Sequence, residues 1–208
     1  MSSAQASEYG YSMGLLNIHN RNLMPLNYPR TFDELLSAIA SRPLRFCFVR
    51  NPFTRLLSAY IDKIESSVNA RRELFFKELL VSDDLQQTLS FRSFLNLLKR
   101  QNISSMNPHW RVQYYQSMFG LINFTHTGAF ERFNEDLSRI LSAINPILLQ
   151  YISRVDEHHT KAAELLESYY SAPETVEIVR EIYREDFDTF GYSRELEDAT
   201  DIPTLSLS

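Results

Sequence analysis

Arg50, Asn51 and Pro52 follow directly on the apolar run Phe46-Cys47-Phe48-Val49, and Ser58 comes eight residues after Arg50. An arginine between a short apolar run and a helix start can grip a phosphate with two parallel N–H donors. The unpaired N–H groups of that helix start favour the same anion. Ser58 falls off the apolar stripe of the helix and offers a hydroxyl to the same phosphate. The plainer reading has Arg50 paired with a carboxylate and Ser58 facing solvent; spacing alone leaves both open. Cys47, inside the apolar run, reads as a buried, inert thiol. His158 and His159 are adjacent, and no His, Cys, Asp or Glu spacing in the chain matches a familiar metal site, so no metal is expected. Glu177, Glu181 and Glu185 repeat at helical spacing and read as a solvated face. Tyr114-Tyr115 and Tyr169-Tyr170 read as core or groove lining.

These side chains need elements to position them. Thr31, with Glu34 three residues on, forms a capping-box pattern for a helix over 31–39, and Pro43 ends it. Residues 45–49 have the near-continuous apolar character of a strand buried on both faces. Asn51 can cap the next helix, and Pro52 suits its first position. Phe53, Leu56, Leu57, Tyr60, Ile61 and Ile64 then make one apolar stripe, which predicts a buried helical face. Helices are also predicted over 72–80, 90–100, 131–144 and 161–170, with a loop over 101–108 and a second strand over 125–130. A last helix is predicted from a Ser171 cap, with Pro173 in its first turn. Its buried stripe would run through Val176, Val179, Tyr183, Phe187 and Phe190, and Gly191 would end it. Residues 1–30 read as loop with one short helix. The whole predicts a mostly helical α/β protein with a few parallel strands.

The chain has 208 residues and a net charge of −5, but the charge is uneven. Residues 42–72 hold seven bases against Asp62 and Glu65, a local +5, whereas residues 154–201 hold fourteen acids against five bases. A local positive field suits a small anion, while the absence of a dense Lys/Arg stripe with interleaved aromatics argues against nucleic acid. Aromatic residues make up 12% of the chain, enough to supply a core, and the length suits one domain over 1–208. One cysteine excludes an internal disulfide framework. No run approaches the roughly 18 apolar residues that span a bilayer. Met1-Ser2-Ser3-Ala4-Gln5 has neither the basic start nor the apolar core of a signal peptide. These features point to a reducing cytoplasmic compartment. The sequons Asn102-Ile103-Ser104 and Asn123-Phe124-Thr125 would matter only in a secretory chain.

The segment Phe46-Cys47-Phe48-Val49-Arg50-Asn51-Pro52-Phe53-Thr54-Arg55-Leu56-Leu57-Ser58-Ala59-Tyr60 resembles the 3′-phosphate-binding segment of carbohydrate-type sulfotransferases, the sulfotransferase family 2 type. Three further segments follow in that family's order. His109-Trp110 with Gln113 is similar to its His-Trp segment. Gly128-Ala129-Phe130-Glu131-Arg132-Phe133-Asn134-Glu135-Asp136-Leu137 is similar to its Gly-x-Phe/Tyr-Glu…Glu-Asp-Leu stretch. Ile182-Tyr183-Arg184-Glu185-Asp186-Phe187-Asp188-Thr189-Phe190-Gly191-Tyr192 is similar to its C-terminal helix. The resemblance runs over about 45–193.

The resemblance implies a P-loop NTPase-like sulfotransferase fold and transfer of a sulfuryl group from 3′-phosphoadenosine 5′-phosphosulfate (PAPS) to a hydroxyl, in the first instance of a carbohydrate. Arg50 and Ser58 would hold the 3′-phosphate of PAPS, and Arg55 would keep a structural role. His109 would be the catalytic base, since imidazole accepts protons near neutrality. Without the family, a histidine packed beside Trp110 is the commoner reading. Val112 stands where the family has a proline. The family's other cofactor element, an early strand and a loop carrying Lys then Ser or Thr, is expected to be missing. The chain has no Lys before Lys63 and no apolar strand before Phe46. Weak nucleotide binding and poor transfer are the expectation, with a non-catalytic sulfotransferase-like binding protein as the alternative. A nucleotide kinase-like enzyme fits less well, lacking the phosphate-loop lysine. If the chain belongs to a longer secretory-pathway protein, the Golgi lumen or membrane replaces the cytoplasm.

Overall fold

The computed structural model describes residues 31–66, 75–77, 79, 89–154 and 161–204, with side chains described outside 151–154. The irregular segment 1–30 and most of the helix expected over 72–80 lie outside the described residues. Within 72–80, residues 75–77 are helical and Phe76 and Leu79 are buried.

The site is built on two parallel strands. β1 (Phe46–Val49) pairs with β2 (His126–Ala129), Phe46 opposite His126 and Val49 opposite Ala129. Their leading ends are tied by Arg45, whose backbone N–H donates to Thr125 Oγ1 at 3.0 Å and whose Nε donates to the Asn123 carbonyl at 2.7 Å. At the trailing end of β2, Asp136 accepts the Ala129 N–H at 2.8 Å and is neutralised by Arg132 and Arg139. Both carboxyl ends therefore reach the same edge, the place where α/β sheets bind ligands. The expectation of a strand buried on both faces is corrected. Val49 is 1% exposed but Phe46 is 42% exposed, because among the described residues each strand has a partner on one side alone. Cys47 is half-buried rather than buried; burial still pushes its thiol up from its ordinary value, which keeps it protonated and inert.

Helix α1 (Phe32–Ser41) starts as expected, with Thr31 Oγ1 accepting the Glu34 N–H, but buries no residue. Helix α2 (Pro52–Tyr60) is the central pillar. Asn51 Oδ1 accepts the Phe53 N–H at 2.9 Å, Pro52 fills the first turn, and Phe53, Leu56, Leu57 and Tyr60 are all buried. A π-helical turn (Ile61–Glu65) extends it and buries Ile64. Helix α3 (Phe91–Arg100) is capped by Ser90 and packs Phe94 edge-on against Trp110, with ring centroids 5.4 Å apart. The loop expected over 101–108 includes one 3-10 turn, Ile103–Ser105, capped by Asn102. Short α4 (Gln113–Gln116) follows the His109 segment. Helix α5 (Phe133–Ile144) follows β2 through a 3-10 turn (Phe130–Arg132), and a further 3-10 stretch (Pro146–Arg154) leads away from it.

Two C-terminal expectations are corrected. The helix over 161–170 is reduced to α6 (Leu166–Tyr169), preceded by turns. The single last helix is two: α7 (Pro173–Ile182) and α8 (Arg184–Phe190), divided at Tyr183, whose backbone leaves the helical region at φ −104°, ψ 25°. Ser171 does not cap α7; Ala172 holds that position without a side-chain bond, and Thr175 Oγ1 instead donates to the Ala172 carbonyl. Gly191 ends α8 in the left-handed region at φ 64°, as expected of a glycine there. The core gathers around α2: Phe53 meets Tyr170 edge-on at 5.4 Å and Phe187 at 5.3 Å. Among the described residues no helix is long and apolar enough to cross a membrane.

Candidate functional site

Arg50 sits where β1 gives way to α2. Its Nε donates to Thr54 Oγ1 at 3.2 Å, and its guanidinium carbon lies 4.7 Å from the centre of the Phe130 ring, just past the end of β2. Thr54 is itself held by the Asn51 carbonyl. No carboxylate forms an ion pair with Arg50 among the described residues. The acid that acts on it electrostatically is Glu131, whose two oxygens are already committed. Oε1 accepts the Asn51 N–H at 2.8 Å, and Oε2 accepts the Tyr192 hydroxyl at 2.8 Å. Among the described residues, therefore, Arg50 makes no direct carboxylate contact, and Glu131 acts on it only through its charge.

The electrostatics follow from this crowding. Burial lowers the Arg50 guanidinium from its ordinary value, and the Glu131 charge partly restores it. Burial raises the Glu131 carboxyl, while hydrogen bonds from Asn51 and Tyr192 and the Arg50 charge oppose the rise. Tyr192 is held well above an ordinary phenol by burial and by Glu131. Asn51 Nδ2 is buried with no acceptor among the described residues. The strand end thus offers one positive, aromatic-backed group beside a helix N-terminus, a combination that favours an anion.

Ser58 is half-buried on α2, seven residues beyond its Asn51 cap, so it stands about 10 Å along the helix axis from the anion-favouring end. His109 is exposed. Its backbone N–H is fixed by Asn107 Oδ1 at 3.0 Å, and its ring meets Phe75 edge-on at 5.9 Å. Trp110, its neighbour, is fully buried. Val112, in place of a proline, has φ −50°, within the range that a proline ring imposes, so the backbone keeps that turn.

The segment 107–113 is bound to the strand end by two residues. Arg55 donates to the Arg111 carbonyl at 2.8 Å and to the Pro108 carbonyl at 3.1 Å, the structural role expected of it. Gln113 accepts the Arg50 N–H at 2.9 Å and donates to the Arg50 carbonyl at 2.8 Å. Tyr183 donates to the Trp110 carbonyl, and Asp186 accepts the N–H groups of Gln113 and Tyr114, both at 2.8 Å. Asp186 and Glu131 stand in the motif segments quoted for the family, but sequence assigned them no role. Asp186 did carry a signal: an acid on the apolar stripe between Tyr183 and Phe190. Glu177 and Glu181 are exposed, as expected of a solvated face. Glu181 pairs with Lys99 of α3, and Glu177 with Arg180. His158 and His159 lie outside the described residues. Among the described residues no group of His, Cys, Asp and Glu gathers in a way that could hold a metal.

Comparison with known proteins gives one family match: the model described as "Sulfotransferase family" covers residues 17–193. The match begins earlier than the resemblance over 45–193 drawn from motifs. Among curated proteins, Carbohydrate sulfotransferase 14 of Danio rerio is 28% identical over 163 residues, 71% of this chain and 43% of the relative. Its counterpart in Homo sapiens is 26% identical over 162 residues, 71% of this chain and 42% of the relative. The chain spans less than half the length of these relatives. No solved structure matches.

Proposed function

Because the chain belongs to the sulfotransferase family, we propose that it transfers a sulfuryl group from PAPS to a hydroxyl, in the first instance of a carbohydrate. The observation that carries the reading is Arg50: a cation at the joined carboxyl ends of two parallel strands, backed by Phe130 and without an ion-pair partner among the described residues. Arg50 holds the 3′-phosphate of the nucleotide, and Ser58 adds a hydroxyl from α2. In the transfer, the acceptor oxygen attacks sulfur and the bond from sulfur to the 5′-phosphate oxygen breaks. His109 takes the acceptor's proton, and 3′,5′-adenosine bisphosphate leaves. The exposed position of His109, beside a buried Trp110 that anchors its segment, supports that role. The parallel strands with the site at their carboxyl ends support a P-loop NTPase-like arrangement. Relatives bearing the name carbohydrate sulfotransferase support a sugar acceptor, and they favour the Golgi lumen or membrane over the cytoplasm as the compartment we propose.

A second reading is a non-catalytic sulfotransferase-like binding or interaction protein, since the surroundings of Arg50 suit holding an anion whether or not transfer follows. Calorimetric titration with 3′,5′-adenosine bisphosphate tests both. The native chain is expected to bind, and Arg50→Ala to bind at least tenfold more weakly, since bonds to a charged group contribute about 1.5–3 kcal/mol. No heat with either chain removes the nucleotide from the account. Turnover of labelled PAPS that is abolished by His109→Ala establishes the enzyme. Binding without turnover establishes the second reading.

A further inference from the structure

Backbone N–H and C=O groups turn to alternate edges of a strand: Arg45 and Asn51 present theirs on the β2 side, so Arg50 presents its own on the opposite edge of β1. No strand pairs with β1 on that edge among the described residues. The Gln113 carboxamide takes the place of such a strand at Arg50. Its Oε1 accepts the Arg50 N–H and its Nε2 donates to the Arg50 carbonyl, the two bonds that a neighbouring strand would supply. Gln113 is held in turn. Asp186 of α8 accepts its backbone N–H at 2.8 Å, its Nε2 at 3.2 Å, and the Tyr114 N–H at 2.8 Å. Val112, at the N-cap of α4, provides no side-chain cap, so Asp186 caps that helix from outside it. Asp186 is 0% and Gln113 7% exposed, so water does not compete for these bonds.

We propose that Gln113, fixed by Asp186, is the positioning residue that aims Arg50 at the phosphate and holds the His109 segment in register with it. The proposal rests on the sulfotransferase reading for the ligand, but not for the clamp itself. Gln113 touches both backbone groups of the residue proposed to bind phosphate, and it lies four residues after the proposed base. One carboxamide therefore joins the two halves of the site, and α8 enters the account through Asp186 although it contributes no group to the ligand.

Gln113→Glu tests this through pH. As a carboxylate, the introduced group still accepts the Arg50 N–H but cannot donate to the Arg50 carbonyl, and it repels Asp186. As a carboxylic acid it regains one donor. The charged and titratable groups facing it are Asp186 of α8, Arg50 at the strand end and Arg55 of α2. Tyr183, Tyr192 and Glu131 complete the surroundings. All of them are shared with the native chain, which is the reference at each pH. Affinity for 3′,5′-adenosine bisphosphate should be at least tenfold below native at pH 8, with most of that loss recovered at pH 5. A ratio to native that stays the same at both pH values, in a folded variant, overturns the proposal. Hydrogen exchange of the Arg50 amide in the native chain decides the clamp without a ligand. Protection comparable to the Cys47 and Val49 amides, which face β2, upholds it, and fast exchange overturns it. If the native chain gives no heat with the nucleotide, the function reading fails on its own, and the exchange result alone judges the clamp.

Discussion

Arg55 shows how a charged side chain can be spent on backbone. It leaves α2 on the side of the His109 segment, and its two terminal nitrogens reach carbonyls three residues apart, those of Pro108 and Arg111. Burial lowers its guanidinium from the ordinary value, and the Tyr183 and Asp186 side chains oppose that. Only a planar fork can serve both carbonyls at once. Arg55→Lys should therefore lose one bond outright and destabilise the fold by about 2 kcal/mol, read as a lower urea midpoint with unchanged slope. An unchanged midpoint would mean the fork has no structural part. Sequence showed Arg50 and Arg55 as neighbours with different prospects, and they do differ. Arg50 forms no ion pair among the described residues, while Arg55 is consumed by two carbonyls. Sequence could mark Asp186 as an acid on an apolar stripe but could not show its partners, which lie some seventy residues away and are chiefly backbone N–H groups, with the Gln113 side chain beside them; main-chain donors leave no trace in residue type.

At the scale of elements, the junction of β1 and β2 depends on a missing side chain. Gly128 lies opposite Phe48 in the ladder, and a Cβ placed there would run into the Phe48 ring. That ring cannot swing away freely, since it packs on Phe133 of α5 with centroids 4.7 Å apart. Gly128→Ala should cost roughly 1–3 kcal/mol through overpacking and lower the thermal midpoint. A midpoint at or above native would show that the ring yields. The elements legible in sequence were those whose signals are local. The predicted stripe from Phe53 to Ile64 is buried except at Ile61, which is half-buried; Thr31 and Asn51 cap where expected, and Gly191 stops α8. The break at Tyr183 was not legible, because the apolar period runs through it undisturbed. Its cause is tertiary: the Tyr183 hydroxyl reaches the Trp110 carbonyl while Asp186, three residues on, reaches α4. The same distance hides the Ser171 error, since α7 starts on its packing against α3 and not on a side-chain cap.

For the molecule as a whole, the acidic C-terminal stretch is stitched to the rest by surface pairs such as Arg92–Glu174 and Lys99–Glu181, which individually stabilise little. The phenols matter more. Tyr170 donates to the Phe53 carbonyl, Tyr183 to the Trp110 carbonyl and Tyr192 to Glu131, each joining C-terminal structure to α2, to the His109 segment or to the strand end. Burial holds all three above an ordinary phenol, and burial with Glu65 pushes Tyr169 up to about 12. A group whose pKa is raised by folding contributes stability that is complete below its unfolded value, near 10, and is lost as pH rises toward the folded one. Each buried phenol that resists ionisation therefore removes about 1.4 kcal/mol per pH unit above 10. Three of them acting together exceed the reserve of an ordinary domain within about one to four pH units. Absorbance at 295 nm and far-ultraviolet circular dichroism, followed together from pH 8 to 13, should separate two classes among the eleven tyrosines. One class ionises near pH 10 with helix retained. The other, Tyr170, Tyr183 and Tyr192 among it, ionises only as the helical signal collapses. A single reversible step near pH 10, with the helical signal intact, would show that these hydroxyls do not hold the C-terminal helices to the site.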